Sequence, residues 1–288
     1  MTDYSDVHYT GEDGLALYAR DYGAPAGTAP VILCMHGLTR NSADFHDLAM
    51  HLKSRYRVIS ADQRGRGKSQ WDSEPGRYAL PVYCQDMIRL LDHLGVERVI
   101  LIGTSMGGLM AMILGVTQSP RLIAAVINDV GPVVEATGLA RIASYTGKTK
   151  PAGNWAEAAD LAKLTNGVAF PDYGSDDWMA FAHRLYSEGA DGVPVLAYDP
   201  AISKGLQVAT DAPVVPPDLW PMWDGLKGLP ILAIRGELSD LLSPATLATM
   251  AERHDGLVAV TVPNRGHAPM LDEPVAVAAI DDFLSGLG

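Results

Sequence analysis

Short runs of uninterrupted apolar residues recur along the chain, separated by stretches whose apolar positions repeat every three to four residues. The runs are Val31 to Met35, Arg57 to Ala61, Val99 to Ile102, Ala124 to Ile127, Ile231 to Ile234 and Leu257 to Val262. Apolar character without polar alternation predicts strands buried on both faces, as in a parallel sheet covered by helices. The intervening helices are punctuated. Pro81 suits a first helical turn, after which Cys84, Met87, Ile88, Leu91 and Leu94 share one face, and Gly95 stands where a left-handed residue closes the helix. Ser243-Pro244 and Glu273-Pro274 each read as an N-cap followed by a first helical residue. Strand and helix in rotation imply right-handed crossovers and an α/β fold with a doubly wound, mostly parallel sheet.

The rotation breaks once, from about Gly131 to Gly228, where only helix-like pieces occur. Asn154-Trp-Ala-Glu157 has the spacing of a capping box, and Ser175-Asp-Asp-Trp178 reads as another helix start. The expected organisation is a core built from residues 1–131 and 229–288, with a helical cap inserted at 132–228. Trp155, Trp178, Trp220, Trp223, Phe170 and Phe181 concentrate in the insert. They suit either the apolar underside of a lid or the ordinary core of a small helical subdomain.

Size and composition narrow the functional classes. The 288 residues suffice for one large domain with an insert or for two ordinary domains, and 48% apolar with 19% charged residues is the balance of a well-cored globular protein. A formal charge of -12, with no Lys/Arg cluster to offset it, argues against nucleic-acid binding. The N-terminal segment is polar and acidic, unlike a signal peptide, and no apolar stretch is long enough to span a membrane, so the expected compartment is the cytoplasm. Cys34 and Cys84 sit among apolar neighbours and read as core residues, not as a disulfide.

Candidate chemistry centres on Gly103-Thr-Ser-Met-Gly107, directly after the run Val99 to Ile102 and before an apolar helix. A serine on such a sharp strand-to-helix turn has its hydroxyl pushed out at the sheet edge, and the glycines permit strained angles and close packing. Serine needs a base to become a nucleophile. Of eight histidines, His267 alone follows an expected strand through a short turn, Pro263 to Gly266, that would hold it at the same edge. Asp240, after Ile231 to Ile234, is the expected acid that orients the imidazole. Glu237, closer to that strand, and Asp129, after Ala124 to Ile127 and leading into the insert, are its competitors. Backbone N–H groups of Met106 and of Leu38, in the loop His36-Gly-Leu-Thr-Arg40, are the candidate oxyanion donors.

The ordered set His36-Gly37, Asp62-Gln-Arg-Gly-Arg-Gly-Lys-Ser69, Gly103-Thr-Ser-Met-Gly-Gly108, Asp240 and Gly266-His267 resembles the α/β-hydrolase superfamily, in particular its capped esterases, enol-lactonases and carbon–carbon hydrolases. The resemblance implies a triad of Ser105, Asp240 and His267, an oxyanion hole from Leu38 and Met106, and a structural turn at Asp62 and Arg64. Serine at position 105 sets the chain apart from the epoxide-hydrolase and dehalogenase branches, which carry aspartate there. The expected function is hydrolysis of a carboxylic ester or lactone of a small, fairly apolar substrate through an acyl-enzyme on Ser105. Carbon–carbon bond hydrolysis with the same triad, and a catalytically silent ligand receptor of the same fold, are the alternatives. No cofactor or metal is expected: metal-ligand spacing is absent, and Gly65-Arg-Gly67 lacks the rest of a dinucleotide loop.

Overall fold

A computed structural model describes residues 3–23, 29–205 and 218–287. In chain order the strands are β1 (Ser5–Thr10), β2 (Ala16–Asp21), β3 (Val31–Met35), β4 (Arg57–Asp62), β5 (Val99–Thr104), β6 (Leu122–Asn128), β7 (Tyr186–Glu188), β8 (Pro194–Leu196), β9 (Ile231–Gly236) and β10 (Val258–Val262). Eight of them form one sheet in the order β1-β2-β4-β3-β5-β6-β9-β10, while β7 and β8 pair separately. From β4 to β10 every neighbouring pair in the sheet is parallel; β1 and β2 add an antiparallel edge.

The uninterrupted apolar runs arise because alternate side chains enter two different cores. Leu33, Met35, Ile59, Leu101, Ile127 and Ala233 point to one face, Ile32, Cys34, Val58, Ile100, Ile102, Val126, Leu232 and Ile234 to the other. The helices are α1 (His46–Leu52), α2 (Leu80–His93), α3 (Met106–Thr117), α4 (Ala136–Tyr145), α5 (Trp155–Asn166), α6 (Ser175–Leu185), α7 (Trp220–Asp224), α8 (Pro244–Arg253) and α9 (Pro274–Ser285). Residues of α2, α3, α7 and α8 fill the first core, those of α1 and α9 the second, so the sheet is doubly wound. Cys34 and Cys84 are buried on opposite faces, and burial raises both thiols, that of Cys84 to about 12, leaving them protonated core groups.

One strand expectation needs correction, and two strands were not among those expected. The β1–β2 hairpin carries charged residues between its apolar ones and has no continuous apolar run. β10 is an edge strand with Val258 exposed and only Val262 fully buried, so it is not covered on both faces. The helix punctuation agrees with the expected positions. Gly95 closes α2 at φ +64°, Ser243 Oγ caps α8 by accepting from Thr246 N–H, and Asn154 Oδ1 caps α5 by accepting from Glu157 N–H. Gly174, one residue before Ser175, is the N-cap of α6.

Between β6 and β9 the described chain adds no strand to the main sheet. Part of the expected insert, residues 206–217, lies outside the described residues. α5 and α6 enclose an apolar cluster of their own around Ala158, Ala162, Phe170, Trp178, Phe181 and Leu185. Gly67 N–H donates to Ala197 O and Asp199 N–H to Gly65 O, so the 64–69 turn clasps this segment. That turn is rigid: Arg64 is buried against Asp13, Asp72 and Asp86, and Asp62 accepts from Ser42 and Lys68 N–H. α7 departs from the expected boundary, because Trp223 is fully buried in the sheet-side core and its Nε1 donates to Met250 O. Among the described residues no helix is long and apolar enough to cross a membrane.

Candidate active site

Ser105 lies between β5 and α3 with φ +52° and ψ −114°, a conformation L-residues rarely adopt. The glycines around it permit the turn. A Cβ at Gly103 would stand 2.2 Å from Gly107 O, and one at Gly107 would stand 1.9 Å from Met35 O. Strand, elbow and helix are therefore pressed together until only glycine fits, and the Ser105 side chain projects from the sheet edge at the α3 N-terminus.

His267 follows β10 and its Nε2 is 2.8 Å from Ser105 Oγ. Its Nδ1 is 2.8 Å from Asp129 Oδ2. A carboxylate can only accept, so Nδ1 carries the hydrogen and Nε2 is left to accept from the serine hydroxyl. Asp129 is fully buried and stands at φ +56° immediately after β6. Its Oδ1 accepts from Gly236 N–H at 2.8 Å and its Oδ2 also accepts from Ser239 Oγ at 2.7 Å. The sequence expectation for the acid is thus corrected. Asp240 does not hydrogen-bond His267; it pairs with Arg141 Nε at 2.6 Å and Nη2 at 2.8 Å. Those bonds from Arg141 hold its carboxyl below the usual aspartate range.

Strand order alone does not decide the exchange, since β6 adjoins β5 but β9 adjoins β10, which carries His267. The course of the loop after β9 does. That loop presents Ser239 to the site, while Asp240 turns toward α4 and its carbonyl accepts from Gly138 N–H. Glu237 accepts from Asn264 N–H and so braces the turn that carries His267. The signal for Asp129 is its place directly after a buried strand in Asn128-Asp-Val-Gly-Pro132.

The loop after β3 approaches from the other side. A Cβ at Gly37 would meet Ser105 Cβ at 3.7 Å, so this loop passes close over Ser105. His36 is fully buried; its Nε2 accepts from Gln63 N–H at 3.0 Å, and its Nδ1 donates to Gly37 O at 2.7 Å. Burial pushes this imidazole down to about 3 and keeps it neutral. Arg66, which the sequence reading did not single out, is buried with Nε donating to Leu38 O at 2.9 Å and its guanidinium 4.7 Å from the Tyr83 ring centroid. Leu38 and Met106, the expected oxyanion donors, border the same cavity as Ser105.

The model of the alpha/beta hydrolase family matches residues 31–280. The chain belongs to this family. Across 92% of each chain it is 34% identical to a 3-hydroxybutyrate-oligomer hydrolase of Cupriavidus necator. A 2-(acetamidomethylene)succinate hydrolase of Mesorhizobium japonicum is 28% identical over 90% of this chain and 89% of its own. The crystal structure of an alpha/beta hydrolase from Novosphingobium aromaticivorans superimposes with a TM-score of 0.91 at 41% identity, covering 99% of both chains.

Two cavities meet at Ser105 in this hydrolase. The smaller, about 70 Å³, is bordered by His267, Arg40, Tyr145, Asn166, Phe181 and Met270 among others. The larger, about 700 Å³, is mainly apolar, with Tyr83, Met106, Leu109, Val134, Leu139 and Leu241 on its walls. α4 contributes to both, since Ile142 faces each. The insert aromatics divide accordingly. Phe170 and Phe181 reach the small cavity. Trp178 is buried against Phe170, Tyr173 and Phe181, and Trp155 stacks on His183 at 3.9 Å between ring centroids. Neither tryptophan, nor Trp223, borders these two cavities: Trp155 and Trp178 pack in the helical cluster of the insert, and Trp223 in the sheet-side core.

Proposed function

We propose that the protein is a serine hydrolase that cleaves a carboxylic ester through an acyl-enzyme on Ser105. The observation that carries this reading is the unbroken chain Ser105 Oγ–His267–Asp129, both links 2.8 Å long. As Ser105 Oγ attacks the ester carbonyl carbon, His267 Nε2 takes its proton, and Asp129 stabilises the resulting imidazolium. Backbone N–H groups of Leu38 and Met106 receive the developing oxyanion. His267 then returns the proton to the alkoxy oxygen as the carbon–oxygen bond breaks. Water repeats the sequence on the acyl-serine, giving a carboxylic acid and regenerating the hydroxyl.

Two cavities meeting at the nucleophile favour an ester with two separate arms over a lactone, whose arms are one ring. The name of the Cupriavidus necator relative also favours an ester, because oligomers of a hydroxy acid are joined by ester bonds. The part of the insert before α7 acts as a cap in this reading, with α4 and α6 supplying cavity wall above Ser105.

The test is Ser105→Ala on nitrophenyl acetate and butyrate, with fluorophosphonate labelling followed by peptide mass mapping. The variant is expected to fold normally, to lose the label and to lose kcat by several orders of magnitude, leaving roughly 10³-fold over water from the oxyanion donors and binding. Near-normal turnover, or labelling at another residue, overturns the reading.

A further inference from the structure

Arg40, on the loop after β3, is held in an unusual way for a residue facing a reaction site. Its Nε and Nη2 donate to Asp44 at 2.8 and 2.5 Å, and its guanidinium lies over the Phe181 ring with Cζ 4.1 Å from the centroid. The third nitrogen, Nη1, is buried and has no hydrogen-bond partner. An orphaned buried guanidinium nitrogen is costly unless something fills the place it faces. Arg40 borders the small cavity, and its stem flanks the catalytic serine: a Cβ built on Gly37 would meet Arg40 Cγ at 3.6 Å and Ser105 Cβ at 3.7 Å. Tyr145 and Asp44 stand on the same cavity wall, and burial raises the Tyr145 phenol. The cavity is therefore small, and the Arg40 guanidinium on its wall is pre-ordered by the Asp44 fork and the Phe181 face.

The position of His267 gives the two cavities different roles. It must deliver a proton to the leaving oxygen, and it borders the small cavity and not the large apolar one. The leaving alcohol therefore occupies the small cavity, and the acyl arm occupies the large one. Resting on the ester-hydrolase reading above, we propose that Arg40 Nη1 binds a free carboxylate on the alcohol half of the substrate. The substrate class is then an oligoester of short hydroxy acids, cleaved at its carboxyl-terminal unit. The Ser105 attack breaks the bond between the penultimate carbonyl carbon and the last hydroxyl oxygen, His267 protonates that oxygen, and one hydroxy acid leaves. Water then releases the shortened oligomer acid from Ser105. In a 3-hydroxy acid only one methylene separates the carbinol carbon from the carboxylate, so the group is short, as a small cavity bordered by both His267 and Arg40 requires.

The experiment compares 3-hydroxybutyrate dimer having a free carboxylate with the same dimer methylated at that carboxylate, following scission of the bond between the units by chromatography. The wild-type protein is expected to prefer the free acid by about tenfold or more in kcat/KM. Arg40→Gln is expected to bring that preference to within about threefold, the loss appearing mainly in KM. Asp44→Asn, which keeps the guanidinium, is expected to retain the preference and so separates lost recognition from a lost ion pair. With trimer, rapid quenching and mass analysis is expected to find Ser105 carrying a two-unit acyl arm. If Arg40→Gln does not fold, product inhibition of the wild-type protein decides: free 3-hydroxybutyrate is expected to compete against nitrophenyl acetate far better than its methyl ester. Absence of a wild-type preference, its survival in folded Arg40→Gln, a one-unit acyl arm, or equal inhibition by acid and methyl ester overturns the proposal. Nitrophenyl acetate turnover and serine labelling report separately on the ester-hydrolase reading. Activity there without carboxylate preference removes the Arg40 assignment alone, whereas no activity there removes both.

Discussion

At Asp129 a left-handed backbone, a fully buried carboxylate and a proton-bearing imidazole coincide. Aspartate and asparagine tolerate positive φ better than most residues, so Asp129→Asn should keep the backbone. Its Oδ1 can still accept from Gly236 N–H, but an NH₂ group would then face His267 Nδ1 and Ser239 Oγ. The imidazole is driven to the opposite tautomer, with Nε2 bearing hydrogen and unable to accept from Ser105. The expected cost is on the order of 10⁴ in kcat near neutral pH. Asp240→Asn removes charge from a partly exposed pair with Arg141, and the expected loss in kcat is about tenfold or less. Measuring kcat for both variants against one nitrophenyl ester decides: greater damage from Asp240→Asn would return the acid to the loop after β9. Sequence alone placed Asp129 among the competitors and no higher, because nothing local to residues 124–132 tells that this carboxylate will meet an imidazole 138 residues further along the chain.

At the scale of elements, α4 and α6 do different work. Leu139 on α4 is half-buried and faces the large cavity, so Leu139→Trp can fill that space without removing core. The expected outcome is a fall of about tenfold in the ratio of kcat/KM for nitrophenyl octanoate over acetate, at little change in Tm. An unchanged ratio would mean that the acyl arm goes elsewhere. Trp178 on α6 is buried among aromatic neighbours and touches neither cavity. Trp178→Ala is expected to destabilise by about 3–5 kcal/mol, read as a drop in Tm, while leaving acyl-length preference nearly as it was. The sequence pattern marked α6 through the helix start at Ser175 and its aromatics, and named no cap for α4. It did not separate wall from core, since helical period reports that a face is covered and not by what.

Across the whole molecule, His36 joins the end of β3 to the end of β4 beneath the elbow, and it must stay neutral to accept from Gln63 N–H. Its folded pKa of about 3 lies below the ordinary 6.5. The unfolded chain therefore takes up a proton below about pH 6.5 that the folded chain refuses. This contribution to stability is fully present above pH 6.5 and is lost as the pH falls toward 3, at roughly 1 kcal/mol per pH unit. Urea unfolding of the wild-type protein and His36→Gln between pH 7.5 and 5 is the check: the gap between them should narrow as pH falls, and a constant gap counts against the buried neutral imidazole. The amino-acid sequence by itself determined the six apolar strands of the parallel sheet, the helix caps, the strained serine elbow and His267 at the sheet edge. Each of these is encoded within a few residues, as burial period, capping chemistry or a turn that only glycine permits. The tertiary structure alone decided that Asp129 and not Asp240 meets His267, that β10 is an edge, that Trp223 belongs to the sheet-side core, and that Arg40 keeps a buried guanidinium nitrogen without a hydrogen-bond partner. Those outcomes depend on which strands become neighbours and on how segments more than a hundred residues apart pack, and strand adjacency is set by the crossovers and the shared core rather than by any local pattern.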